Sequence, residues 1–238
     1  TLTDTSLTTS VLNALDDNTT GSIDASTLNT LSGAAVDLNT AFDSGGISNL
    51  GDQDVTLTDT SLTASVLNAL DDNPTGSIDP SAITALTGAA LDLPTPFDSG
   101  GISHLGDEDV TLTDTSLTAS VLNALDDNTT GSIDANTLNT LTGATVDLNT
   151  AFDSGGVSNL GDQDVTLTDT SLTASVLNAL DNNTTRSIDA NTVNTLTGAA
   201  VDLNTAFDSG GISNLSDQDV TLTDTSITAS VLNALDDN

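Results

Sequence analysis

One octapeptide, TLTDTSLT, opens at Thr1 and returns at Thr56, Thr111 and Thr166, and once more as TLTDTSIT at Thr221. The chain is four copies of a 55-residue unit (1–55, 56–110, 111–165 and 166–220) followed by a partial fifth over 221–238. A fixed period of this length marks architectures in which each unit covers the apolar face of its neighbour. It also constrains function, because a catalytic centre needs one asymmetric constellation and this chain presents the same residues repeatedly. The first residue is Thr1 rather than a methionine, and the last copy stops after 18 residues. Both ends are what a window within a longer array would show.

The second copy can be read along its length. Val55-Thr56-Leu57-Thr58 alternates apolar and β-branched residues, a short strand signal. Asp59, Thr60 or Ser61 can cap a helix, on which Leu62, Val66, Leu67 and Leu70 make one apolar face. Pro74, after Asp71-Asp72-Asn73, stops it. A second strand is expected at Gly76-Ser77-Ile78. A second helix should follow, capped by Asp79-Pro80, directing Ile83 and Leu86 inward and ending at Gly88. From Ala89 to Asp109 only a short helical turn is expected, since Pro94 and Pro96 interrupt it, with Phe97 as a core anchor and glycine turns after it.

Strand–helix units strung in one direction favour parallel strands joined by right-handed crossovers. The expected fold is α/β: a repetitive open solenoid of short parallel strands and short helices, two strand–helix turns per 55-residue unit. Two alternatives stay open. One is an all-β solenoid, because Thr, Asn and Ser are weak helix formers. The other is an array of small helical EF-hand-like domains, each of which would be marginal alone at this size.

Thirty-five acidic residues stand against a single arginine, Arg186, and no lysine, for a formal charge of −34. Nucleic acid and anionic membrane are poor partners for such a surface, and no apolar run approaches the ~18 residues of a membrane span. All the acids but Glu108 are Asp, a residue of caps, turns and hard-cation sites rather than of helix surfaces. Stacked copies would place like charges in columns. At roughly 10 Å in water each pair costs about 0.4 kcal/mol, which salt near 0.1 M largely screens. There is no cysteine, hence no disulfide and no thiolate ligand or nucleophile. The lone His104 replaces an asparagine of the other copies, so no Ser–His–Asp arrangement repeats and catalysis is not expected.

The motif D-x-N-x-T-G-S-I-D resembles the calcium loop of EF-hand and dockerin modules. On that resemblance the metal ligands would be Asp16, Asn18, Thr20 and Asp24; Asp71, Asn73, Thr75 and Asp79; and Asp126, Asn128, Thr130 and Asp134. Calcium is the cofactor it implies. The chain departs from the family at the closing twelfth position, which is Thr27, Ala82, Thr137 or Thr192 instead of a bidentate carboxylate. In the fourth copy Arg186 takes the place of the glycine, a position where positive φ is expected. The competing reading is a solvated turn with Asp24 capping the next helix. A second acidic group, Asp43, Asp52 and Asp54, surrounds a double glycine and reads either as a divalent-ion site or as turn chemistry. The asparagine of L-N-x-L (Asn13, Asn68, Asn123, Asn178) is either a backbone ladder between coils or an exposed helix position.

The pattern from Val110 to Ala135, with Thr140 to Gly143 after it, resembles Thr/Asp-rich tandem repeats of giant exported, adhesin-like proteins of marine cyanobacteria and other aquatic bacteria. That resemblance implies a structural or adhesive segment of a very large extracellular or cell-surface protein, forming a stiff filament or stalk. Its alternative is a calcium-binding repeat module of an exported adhesin. The partners implied are further copies along a fibre axis and contacts to a cell surface or carbohydrate.

Overall fold

The computed structural model describes residues 2–73 and 76–236, so Pro74 and the candidate ligand Thr75 lie outside the described residues. The chain forms two compact units, one of residues 1–113 and 127–133, the other of 114–126 and 134–238. Each is α/β, with short parallel strands alternating with short helices in a repetitive solenoid-like coil.

In the first unit the strand Ser6–Thr8 pairs in parallel with Thr30–Gly33, that with Asp54–Leu57, and that with Ile78–Asp79, which bridges on to Ile102. The register aligns Leu7, Leu31, Val55, Ile78 and Ile102 in one apolar column, while Thr8, Ser32, Thr56 and Asp79 form its polar neighbour. The second unit repeats the ladder over Ser116–Thr118, Thr140–Gly143, Asp164–Leu167, Ile188–Asp189 and Ile212–Ser213. Partners stand about 24 residues apart, less than half of the 55-residue repeat. As a result each of these two ladders draws on two successive copies. The Asp54–Leu57 strand alternates exposed and buried residues, with Val55 and Leu57 turned inward, as its spacing predicts.

Helices fill the return path of each coil. Ala64–Asp71 buries Ala64, Leu67 and Leu70, and Ala35–Asp43 buries Ala35, Leu38 and Ala41, so the inward face recurs every third residue. Successive helices pack on one another within each unit. These helices and strands exclude both the all-β solenoid and the array of helical EF-hand-like domains.

Several local expectations need correction. The second helix is not at Asp79–Gly88. There, Asp79 accepts the Ser81 N–H at 3.1 Å, Ile83 N–H closes one turn on Pro80 O, and Ala85–Gly88 runs as a strand between Ser61–Thr63 and Asp109–Leu112. Leu86 is buried by that pairing, which outweighs the weak helical spacing. The second helix instead occupies Ala35–Asp43, and its equivalent in the second copy is the five-residue Pro94–Asp98 with proline at its start. Phe97 is half-buried and Pro96 beside it is the buried residue, so the aromatic is not the anchor of the core. Asp59 caps a helix, but not the one that follows it. Its Oδ2 accepts Ala35 N–H at 2.8 Å, at the start of the preceding helix, and Asp169 and Asp224 do the same for Thr145 and Ala200. Those helix starts have no side-chain cap of their own.

Candidate functional site: a polar groove repeated in every copy

A groove of about 200 to 650 Å³ recurs once per copy. In the first copy Ser26, Leu28, Asn29, Asn49, Asp52 and Gln53 line it. Its shape depends on the buried Gln53, only 3% exposed. Gln53 Oε1 accepts the N–H groups of Gly51 and Asp52 at 2.7 and 3.2 Å. Its Nε2 donates to Leu28 O and Asn49 O, both at 3.2 Å. One side chain thus closes its own loop and ties it to the coil before. Gln163 repeats all four bonds. The loop needs two left-handed positions: Asn49, His104, Asn159 and Asn214 have φ of 60–62°, and Gly51, Gly106 and Gly161 have φ of 136°, 138° and 120°.

The glycine of this loop is Ser216 in the fourth copy, from which an unstrained backbone is inferred on sequence grounds. The three glycine copies show the opposite. At Ser216 the chain leaves the positive-φ region, and Gln218 keeps its donations to Val193 O and Asn214 O while its buried Oε1 has no partner among the described residues. Two hydrogen bonds are lost where the side chain forbids the backbone.

The structure gives most of the proposed calcium ligands hydrogen-bond partners of their own. Asp16 accepts the Ser44 hydroxyl at 2.6 Å, and Ser44 in turn accepts Gly46 N–H. Asp71, Asp126 and Asp181 hold Ser99, Ser154 and Ser209 in the same way. Asn18 and Asn73 donate back to Ala14 O and Ala69 O of their own helices. Asp24 accepts the Asn49 Nδ2–H at 2.8 Å and the Ser26 N–H at 3.1 Å; the Asn49 amide, then the Ser26 hydroxyl and N–H, hold its carboxyl below the usual range. Asp134 takes the same two partners from Asn136 and Asn159, and Thr130 donates to Gly106 O. Thr20 is exposed, and so is Asn128's neighbour Asp127. At the twelfth position Thr27 donates to Leu2 O and Asp4 O. Among the described residues no three His, Cys, Asp or Glu side chains gather in a metal-binding group.

The glycine before Ser-Ile-Asp also has a different reason from the one the calcium loop suggests. Gly76 and Gly131 lack positive φ; instead a Cβ there would run into Gln53 O and Glu108 O. At Arg186 the turn keeps the bonds of the third copy: Arg186 N–H donates to Thr184 Oγ1 at 3.1 Å as Gly131 N–H does to Thr129 Oγ1 at 3.0 Å, and nothing in the structure explains how its Cβ is accommodated. The second acidic group is likewise dispersed. Asp54 accepts Ser77 N–H and Oγ–H, both at 2.9 Å, and these bonds hold its carboxyl low.

Of the two readings of the L-N-x-L asparagine, the ladder is the one observed. Asn13, Asn68, Asn123 and Asn178 donate to the carbonyls of Asp37, Asp92, Asp147 and Asp202 in the next coil, at 2.9–3.0 Å. Asn39 and Asn149 reach Val66 O and Val176 O in turn. The buried Gln escaped the sequence reading. Its only signal was a polar residue fixed between Asp and a strand in D-Q-D-V, replaced once by Glu.

No helix among the described residues is long and apolar enough to cross a membrane. The chain matches no protein-family model, no curated protein and no solved structure.

Proposed function

We propose that the chain is a structural or adhesive repeat segment of a very large extracellular or cell-surface protein, forming a stiff filament or stalk. The observation that carries this reading is the sharing of the longest ladders between two successive copies. A load applied along such an array meets parallel strand pairs, Asn ladders, Asp caps and Gln staples that all cross from coil to coil. Breaking one copy away means breaking every one of these sets together. The polar residues engage in this internal bonding and line the repeated groove. The same strand pairing supports association with further copies along the axis. The grooves, amide- and carboxylate-lined and one per copy, offer weak sites that multiply along a surface.

The calcium-dependent alternative has weaker support in the EF-hand-like loop, whose carboxylates are engaged by Ser44, Ser26 and Asn49. Small-angle scattering on chains of two, four and eight copies tests the leading reading. A stiff stalk gives a maximum dimension proportional to copy number. Growth with roughly its square root, as for flexibly joined beads, would overturn it. A melting temperature unmoved by EGTA would discard calcium in the loops as a general structural element.

A further inference from the structure

The second copy departs from the other three at several positions of the same groove, two of which change its hydrogen-bonding character. His104 stands in place of Asn49, Asn159 and Asn214, and Glu108 in place of Gln53, Gln163 and Gln218. Both exchanges delete an amide NH₂ that in the sister copies is aimed at oxygen. The asparagines donate to Asp24, Asp134 and Asp189 at 2.7–2.8 Å. The glutamines donate to two backbone carbonyls each, at 3.1–3.3 Å.

Glu108 is 1% exposed, and its Oε2 accepts Gly106 N–H at 2.8 Å and Asp107 N–H at 3.2 Å. Those are the bonds that Gln53 and Gln163 make through Oε1. Gln53 and Gln163 use their other terminal atom, Nε2, on the carbonyls of Leu28 and Asn49 and of Leu138 and Asn159; Ile83 and His104 hold those positions in the second copy, and the remaining oxygen of an ionised Glu108 has no proton for their carbonyls. Asp79 keeps the Ser81 N–H at 3.1 Å, but the ring of His104 turns to Ser103 Oγ at 3.0 Å and does not replace the asparagine donor. Asp79, Ile83, His104, Asp107 and Glu108 line one groove of about 360 Å³. Where the sister grooves present N–H, this one presents oxygen.

A carboxylate oxygen on a side chain only 1% exposed, set against two carbonyl oxygens, is unfavourable unless something positive lies between them. We propose that the groove of the second copy is a binding site for one hard divalent cation of the calcium class. Glu108 Oε1 and the backbone carbonyls of Ile83 and His104 hold it, and Asp79 and Asp107 add negative charge to the same groove. Backbone carbonyls joined by one carboxylate are ordinary calcium ligands. The site exists in one copy only and shares just Asp79 with the EF-hand-like ligand set, using none of Asp71, Asn73 or Thr75.

Calcium chloride titrated calorimetrically into the EDTA-dialysed chain at neutral pH tests this, together with melting followed by circular dichroism. One calcium per chain should bind, and at 100 times the Kd the melting temperature should rise by about 5 °C. Glu108→Gln should weaken calcium binding about 100-fold while melting in EDTA at or above the temperature of the parent, because it restores the bonds of Gln53. The pair Asn159→His with Gln163→Glu should raise the stoichiometry to two, which guards against a loss caused by misfolding. A parent chain with neither calcium heat nor melting shift overturns the proposal, as does a Glu108→Gln variant that still responds to calcium.

Discussion

Exchanging the glycine and serine of the groove loop should move stability in opposite directions at two places in one chain. Gly161 sits at φ 120°, a region that a residue with a Cβ rarely adopts. Gly161→Ser should drive that peptide to the conformation found at Ser216, and Gln163 would lose the N–H donors of Gly161 and Asp162, now at 2.8 and 3.2 Å. Gln163 is 2% exposed, so its Oε1 would be left buried and unpaired, at a cost of about 1–3 kcal/mol. The Nε2 bonds to Leu138 O and Asn159 O survive in this estimate, because Gln218 keeps its counterparts. Ser216→Gly should return the orphaned Gln218 Oε1 to two donors and recover about 1–2 kcal/mol, less than the loss because Gln218 is more exposed. Urea unfolding by circular dichroism reads both variants, and amide exchange at Gly161 and Asp162 reads the bonds directly. If Gly161→Ser leaves stability within about 0.3 kcal/mol and those amides stay protected, the glutamine staple is not what holds the loop.

Asp169→Ala should destabilise the second compact unit by about 1–2 kcal/mol, since Asp169 takes both the N–H and the hydroxyl of Thr145 at 2.6 and 2.7 Å; urea melts of the variant check it. Asp54 has its carboxyl held low by Ser77, so its stabilisation is fully present above the unfolded carboxylate range near pH 4 and is lost as pH falls through the folded value. Asp54→Asn should therefore narrow its gap from the parent as pH drops from about 5 to 2, a difference that survives the relief of charge repulsion common to both proteins. A peptide of one copy, residues 1–55, should show no cooperative melt, whereas residues 1–113 should, because the first ladder is completed by Ile78–Asp79 and Ile102. Circular dichroism of the two distinguishes them, and a cooperative single copy would refute the shared ladder.

The α/β alternation and the parallel strands were legible because Val55, Leu57, Leu67 and Leu70 carry their periodicities plainly. The exchange of strand for helix at Ala85–Gly88 was not, since Ile83 and Leu86 fit a helix face as well as a strand, and the deciding partners, Leu62 and Val110, lie 24 residues away on either side. The same distance hid the caps. Asp59 looks local in sequence and serves Ala35, and Asp16 looks like a metal ligand and serves Ser44. Side chains that work between coils carry no signature within a short window. Gln53 was passed over for that reason, although its exchange for Glu108 was visible from the start.

Pairing at about 24 residues inside a longer period has one more result. Because the strands of every copy pair at the same offsets, adding or deleting one entire copy leaves the surviving strands beside equivalent positions. Unequal recombination between such similar stretches of gene could lengthen or shorten the protein over generations without any fresh optimisation of its interior.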